Sequence, residues 1–212
     1  LYYVDQLLAS IQADNEFFDG MQAMVETAMR IEQIAFLNNS MDQVLLATRF
    51  VKLDVASYTF INISLLGTNI TVPTYELRLY DASGYIYESE RVLYGENVSV
   101  IDLRYSLRDK PYALVYVGYD KNVSRTYVGL NTARVKISQN GVVWYKNLPY
   151  NVITISFISL MPDPSVSWEY YSLTKLKLYT ALTYTKSYEL TSPTITIYVG
   201  SVSYTHLTLP TT

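Results

Sequence analysis

Apolar residues recur every three or four positions at the start of the chain, and this spacing predicts one long amphipathic helix over 1–37. Asn15 and Glu32 interrupt the apolar stripe, and Gly20 is the one weak helix former. At a rise of about 1.5 Å per residue the helix is about 50 Å long, so we expect one end to project beyond the body. We predict that the stripe is a packing surface formed by Val4, Leu8, Ile11, Phe18, Met21, Val25 and Ala28.

The pattern changes to that of β-strands after the helix, which we expect to end near Asn38 and Asn39. Two structures compete for the next segment, a short helix over 41–48 and a strand over 44–55. The β-branched and aromatic residues of the segment favour the strand.

Alternation of apolar and polar residues predicts a strand over 74–80, with Tyr75, Leu77 and Leu79 on one face and Glu76, Arg78 and Tyr80 on the other. A turn at 81–84 is expected to join it to a second hairpin arm over 85–93. Gln139-Asn140-Gly141 is the strongest hairpin signal, because Asn-Gly readily adopts a type I′ turn.

Further strand patterns follow one another without intervening helices, including a long alternating run over 173–188. This succession is typical of an antiparallel sandwich or barrel. We therefore predict an α+β fold, in which the stalk helix over 1–37 precedes an antiparallel, all-β, sandwich-like head domain over 38–200.

The composition argues against several kinds of partner and site. The 212 residues carry a net charge of −3 and contain no Cys and 22 Tyr. The chain has no Lys/Arg cluster that would neutralise phosphates, so nucleic acid is not expected as a partner. The absence of Cys excludes disulfides, thiolate zinc sites and cysteine nucleophiles.

The last residues, 201–212, resemble a translated sequencing adapter, because the transposase adapter read in one frame encodes 202–211 in order. We expect this tail to be an artefact of environmental sequencing and exclude it from the fold. The one histidine, His206, lies inside the tail. Because the chain begins with Leu1, we also expect coding sequence to be missing upstream.

Five sites fit the N-x-S/T pattern for N-glycosylation, and most of them lie near predicted turns. Attached glycans would place the head outside the cytoplasm. The candidate asparagines are Asn38, Asn62, Asn69, Asn97 and Asn122.

Motifs for catalysis are missing from the sequence. A Ser nucleophile would lack a His base, and no phosphate-binding loop, metal-ligand motif or paired catalytic carboxylate is evident. Glu88 and Glu90 lie on one strand face, which solvation explains. We therefore predict a non-enzymatic protein without metal or cofactor.

Aromatic residues near the C-terminus allow two interpretations. They form either a sugar-binding platform or ordinary core and cross-strand pairs, and we favour the second. The residues are Trp168, Tyr170, Tyr171, Tyr179, Tyr184 and Tyr188.

The layout of helix and head resembles archaeal type IV pilin-like surface proteins, including relatives of archaellins. Residues 1–37 match the stalk part of their N-terminal helix, and 128–135 with 152–160 resemble late strands of their heads. The resemblance implies an extracellular, glycosylated filament subunit or membrane-anchored surface protein. It would contact like subunits or other surface proteins through the helix, and the membrane through an upstream segment. The alternative is a monomeric carbohydrate- or surface-binding module on a helical stalk.

Overall fold

The computed structural model describes residues 2–65, 68–82, 90–105, 109–163, 173–180, 194–199 and 202–208. These residues form a helix, α1 (Tyr2–Ile34), followed by twelve strands. In chain order the strands are β1 (Met41–Ala47), β2 (Lys52–Leu65), β3 (Thr68–Tyr80), β4 (Arg91–Tyr94), β5 (Val100–Asp102), β6 (Leu114–Asp120), β7 (Arg125–Asn131), β8 (Val135–Tyr145), β9 (Leu148–Phe157), β10 (Leu173–Tyr179), β11 (Thr194–Val199) and β12 (Val202–Thr208).

The strands are arranged in three sheets. Seven antiparallel strands form the main sheet in the order β12-β11-β2-β3-β7-β6-β4. A three-stranded sheet has the order β5-β8-β9, with β5 parallel to β8, and β1 pairs with β10. The predicted α+β class is confirmed, with the correction that one strand pair is parallel.

Two hydrophobic cores lie on opposite faces of the main sheet. In the first, Phe17 and Met24 of α1 pack with Leu79 and Val128 of the sheet, and Leu46 of β1 joins them. In the second, Ile61 and Ile63 of β2 pack with Val135 and Ile137 of β8 and with Val199. The head is therefore sandwich-like, with α1 and the three-stranded sheet covering different parts of the two faces.

A β-bulge between Ser57 and Thr59 explains how β2 serves both cores. Successive side chains of a strand point to opposite faces, so Val55, Ile61 and Ile63 would share a face in a regular strand. One extra residue reverses that alternation. Val55 thus packs toward α1, whereas Ile61 and Ile63 face the three-stranded sheet.

The helix ends a few residues before the predicted point near Asn38 and Asn39. Helix α1 ends at Ile34, and the chain turns at Asn39, whose φ of 52° lies in the left-handed region that Asn tolerates. The favoured strand over 44–55 is correct in type but wrong in extent. Two strands, β1 and β2, occupy this part of the chain, and residues 48–51 separate them.

Neither predicted hairpin has the predicted pairing in the described residues. Strand β3 pairs with β2 and β7, and β4 lies against β6 at the edge of the main sheet; residues 83–89, which include most of the predicted second arm over 85–93, lie outside the described residues. Gly141, with φ 99°, lies within β8 at a register shift between Gln139 and Val142, so it forms a bulge. The turn follows at Lys146 and Asn147, whose φ angles of 50° and 61° are those of a type I′ turn.

The structure describes only part of the C-terminal region for which strands were predicted. Of the run over 173–188, β10 accounts for 173–179, and 181–193 lie outside the described residues. The backbone of Val202–Thr208 pairs with β11 at the edge of the main sheet. The interpretation of 201–212 as adapter sequence stays a prediction.

Candidate interaction surface

One face of α1 is buried against the main sheet. Ala13, Phe17, Met24 and Ile31 follow helical spacing and are at most 6% exposed. Gly20 belongs to the same face, and a Cβ atom there would overlap Leu79 Cδ2. The residue that weakens the helix in isolation is therefore the one that lets it approach the sheet.

The opposite side of α1 is also apolar, but it faces solvent. Val4, Leu8, Ile11 and Phe18 are 55%, 51%, 47% and 53% exposed. Ala13 lies about 160° around the helix from Ile11, so the exposed face is nearly opposite the buried one. The side chains at 3–12 are all exposed, and this end of α1 extends beyond the sheet as expected.

The predicted stripe passes from one side of the helix to the other. Val4, Ile11, Phe18 and Val25 are spaced seven residues apart. In a straight helix a seven-residue repeat drifts by about 20° per repeat, so its later members turn toward the sheet. Accordingly Met21 and Val25 are half-buried and Ala28 is fully buried. We call the solvent-facing residues Tyr3, Val4, Leu7, Leu8, Ile11 and Phe18 the outer face of α1.

Three polar residues of α1 fix its rotation about its own axis. Glu16 Oε1 accepts hydrogen bonds from the backbone N–H groups of Phe50 (2.8 Å) and Val51 (3.2 Å). Glu32 Oε1 accepts one from the N–H of Ala113 (2.8 Å), and burial raises the pKa of this carboxyl. Sequence periodicity does not predict these contacts, because each joins a carboxylate of the helix to a backbone N–H group that is distant in the sequence.

Arg30 is the third of these residues. Its guanidinium donates to both carboxylate oxygens of Asp42 on β1, each at 2.8 Å, and it also pairs with Glu26 at 2.7 Å. The hydrogen bonds from Arg30 lower the pKa of Asp42. Before Arg30, helix α1 carries acidic residues and no basic one; along the outer face these are Asp5, Asp14, Glu16 and Asp19.

The five candidate glycosylation sites differ in exposure. Asn38, Asn69, Asn97 and Asn122 are exposed, each at a turn or a strand end. Asn62 is half-buried in the middle of β2, between β3 and β11, and is the least accessible of the set.

A buried polar network on the main sheet was not predicted. Glu76 is fully buried on β3, although it belongs to the polar set of that strand. Its carboxylate accepts hydrogen bonds from Arg78 Nε (2.6 Å), the Tyr116 hydroxyl (2.7 Å) and Asn131 Nδ2 (3.2 Å). The Tyr116 and Tyr127 hydroxyls lie 3.1 Å apart, and Arg78 lies over the Tyr127 ring.

Two glycines make room for the tyrosine rings of this network. A Cβ on Gly129 would lie 2.9 Å from Tyr116 Cε1 and 3.0 Å from Glu76 Oε1, and a Cβ on Gly118 would lie 2.8 Å from Tyr127 Cζ. Each ring thus lies across the glycine of a neighbouring strand. Because every carboxylate oxygen of Glu76 is hydrogen-bonded within the protein, the network acts as polar structure rather than as a binding site.

Arg134 forms a second buried polar contact. It donates to the backbone oxygens of Glu96 (3.0 Å) and Tyr112 (3.3 Å) and to Asn131 Oδ1 (3.0 Å), and burial lowers its pKa to about 10. The guanidinium joins three segments that are distant in sequence. Its contacts are structural, since they are made to main-chain and amide oxygens.

Groups that would suit metal binding are not assembled in the described ranges. No cluster of three or more His, Cys, Asp or Glu side chains suited to a metal occurs there. Tyr179 is 52% exposed, and its hydroxyl donates to Asp163. Glu90 is exposed. Glu88 and the other members of the predicted aromatic set, Trp168, Tyr170, Tyr171, Tyr184 and Tyr188, lie outside the described residues.

Comparison with known proteins adds no relative. No family model, curated protein or solved structure matches the chain. In the part of the chain that the structure describes, no helix has both the length and the apolar character needed to cross a membrane.

Proposed function

We propose that this chain is a non-enzymatic, pilin-like structural subunit of the cell surface, which associates with like subunits through the outer face of α1. The observation that carries the proposal is the second apolar face of the helix. A helix that only covered its own sheet would need one apolar stripe. Helix α1 buries one such stripe and leaves Val4, Leu8, Ile11 and Phe18 about half exposed.

Burial of the outer face contributes moderately to association. Fully burying an aliphatic or Phe side chain contributes about 1.5–3 kcal/mol. Five side chains that are about half exposed, Val4, Leu7, Leu8, Ile11 and Phe18, would then contribute roughly 4–8 kcal/mol. Bringing two chains together costs about 4–15 kcal/mol. An isolated pair is therefore weak, and repeated contacts along an assembly are needed for stability.

The sequons support a location outside the cytoplasm. Four of the five candidate asparagines are exposed, where a glycan would extend into solvent. The resemblance to archaeal pilin-like proteins agrees with this arrangement of an outward head and an associating helix. In the proposal, an upstream segment anchors the subunit in the membrane or in the filament core.

Sedimentation velocity on the 212-residue chain tests the association. We expect reversible self-association that Ile11→Asp or Phe18→Asp abolishes, because each places a charge in the apolar contact. Gln12→Asp is the matched control, since it adds the same charge at an exposed position about 100° around the helix. Circular dichroism checks that all variants keep the fold.

Two results would overturn the proposal. One is a chain that stays monomeric at every concentration tested. The other is association that Ile11→Asp and Phe18→Asp leave at the wild-type level.

A further inference from the structure

The one Asn-Gly pair of the sequence, Asn140-Gly141, lies at the bulge in β8. Between 139 and 142 on β8 the partner strand β9 advances only from 153 to 151, so Asn140 and Gly141 are together opposite Val152. Both residues of the pair are exposed, and a Cβ atom on Gly141 would have no atom of the described residues within 4 Å. The pair is therefore open to solvent although it lies inside a strand.

An asparagine that precedes a glycine can react with its own backbone. The backbone nitrogen of Gly141 attacks Cγ of Asn140, a C–N bond forms, and the side-chain nitrogen leaves as ammonia with the proton of the backbone amide. The product is a five-membered succinimide ring, which water opens at either of its two carbonyl carbons. One opening gives aspartate, and the other gives isoaspartate, in which the main chain runs through the side-chain carbon. The steps exchange one ammonia for one water and need no oxidant, reductant or cofactor.

The bulge removes the protection that a regular strand would give. Glycine has no side chain to hinder the approach of its nitrogen to Cγ. In a regular antiparallel pair the ladder fixes the backbone angles and opposes this approach, whereas a bulge leaves one residue unpaired and disrupts the ladder locally. Strand β5 pairs with β8 only through residues 135–137, so β9 is the one described strand beside the pair. Ring closure at Asn140 therefore needs only a local change of the backbone.

The side-chain amide of Asn140 is held by two hydroxyl groups and not by a core. The Ser138 hydroxyl donates to Oδ1 at 3.3 Å, and Nδ2 donates to the Thr154 hydroxyl at 2.8 Å. A donor at Oδ1 stabilises the negative charge that develops on this oxygen as the nitrogen attacks Cγ. Both contacts are exposed, so water can replace them while the ring closes. The two hydroxyls thus position the amide without shielding it.

We propose that Asn140 is a self-modification site, at which the folded chain converts asparagine into aspartate and isoaspartate through a succinimide with Gly141. The inference is independent of the proposed association. The fold tolerates the change, because Val135 and Ile137, the core residues of β8, lie before the bulge and are at most 1% exposed, whereas the described side chains of 139–149 are exposed. The modified strand gains a carboxylate, and its isoaspartate form gains a backbone carbon where β8 already contains an extra residue.

Peptide mapping by mass spectrometry tests the site while the 212-residue chain is incubated in mildly alkaline buffer. Trypsin cleaves after Lys136 and Lys146, so the peptide 137–146 contains Asn140 as its one asparagine. We expect this peptide to split into asparagine, aspartate and isoaspartate forms. Asn147 is the internal control, since it is also exposed and has a positive φ but precedes Leu148. Asn140 should convert more than about tenfold faster than Asn147, which corresponds to a barrier lower by about 1.4 kcal/mol.

The same measurement in guanidinium chloride separates the effect of the fold from that of the sequence. Because the bulge leaves Asn140 unprotected, its rate in the folded chain should be of the same order as in the unfolded chain. Gly141→Ala should slow the conversion in the unfolded chain, where the strain of an alanine at a φ of 99° is absent. Asn140→Asp supplies the aspartate standard and should keep the wild-type urea midpoint.

Three results would overturn the inference. If Asn140 converts in denaturant but stays intact in the folded chain, the fold protects the pair. If Asn140 and Asn147 convert at equal rates in the folded chain, or neither converts, the bulge is not a reactive site. If aspartate forms without isoaspartate, the amide is hydrolysed directly and Gly141 takes no part.

Discussion

Two adjacent phenylalanines of α1 give the sharpest test of its two faces. Phe17 is 2% exposed and belongs to the core between α1 and the main sheet. Phe18 is 53% exposed on the outer face. The same substitution to alanine at each position therefore separates folding from association, with residue type and helix position held nearly constant.

The expected magnitudes follow from burial. Phe17→Ala removes a buried ring and leaves a cavity, which costs about 3–5 kcal/mol. Phe18→Ala loses about half of the 1.5–3 kcal/mol expected for a fully buried ring, or about 1 kcal/mol. The better helix propensity of alanine is common to both variants and cancels in their difference. The variants should therefore differ by about 3 kcal/mol in the free energy of unfolding.

Urea denaturation followed by circular dichroism measures this difference. Low protein concentration is needed, because self-association would add stability by mass action. A chain of this size should also show a gap of about 6–12 °C between the melting temperatures of the two variants. In sedimentation only Phe18→Ala should weaken association while the fold is intact. Equal losses of folding stability in the two variants would refute the assignment of faces.

Two further substitutions test the polar contacts of the body. Gly129→Ala should lower the free energy of unfolding by about 1–3 kcal/mol, because the new Cβ would meet Tyr116 and Glu76; an unchanged urea midpoint would contradict the packing described. Burial raises the pKa of Glu32 above its ordinary 4.5, so the native state binds its proton more tightly than the unfolded state and loses stability as pH rises from about 4.5. The stability of Glu32→Gln relative to wild type should therefore increase between pH 4 and pH 7 in urea titrations, and a decrease would reverse the sign of the argument.

The parts of the fold that the sequence predicts well are those set by local pattern. The helix, its approximate end and the β character of the rest follow from periodicity and turn residues within short windows. The wrong predictions concern which segments of the chain pair with each other. The Asn140-Gly141 pair has the residues of a type I′ turn, yet strand β9 continues to pair beyond it, so the left-handed glycine forms a bulge and the turn moves to Lys146 and Asn147.

Burial of the polar network depends equally on distant residues. Periodicity separates Glu76 from Leu77, but it does not show that Tyr116 and Asn131 approach the carboxylate from other strands. That approach needs the register of three strands and a glycine at 129. The spacing of the predicted stripe likewise indicates a packing surface, but it does not show which residues of the stripe face the sheet.

The outward direction of Phe18 is a fixed property of the fold. Turning α1 about its axis far enough to bury this side chain would remove Glu16 from the N–H groups of residues 50 and 51 and Glu32 from that of residue 113. It would also replace Gly20, at its contact with Leu79 of the sheet, by a residue that has a Cβ atom. Several contacts along the helix thus oppose such a rotation. The proposed association with a like subunit uses the face that these contacts hold outward.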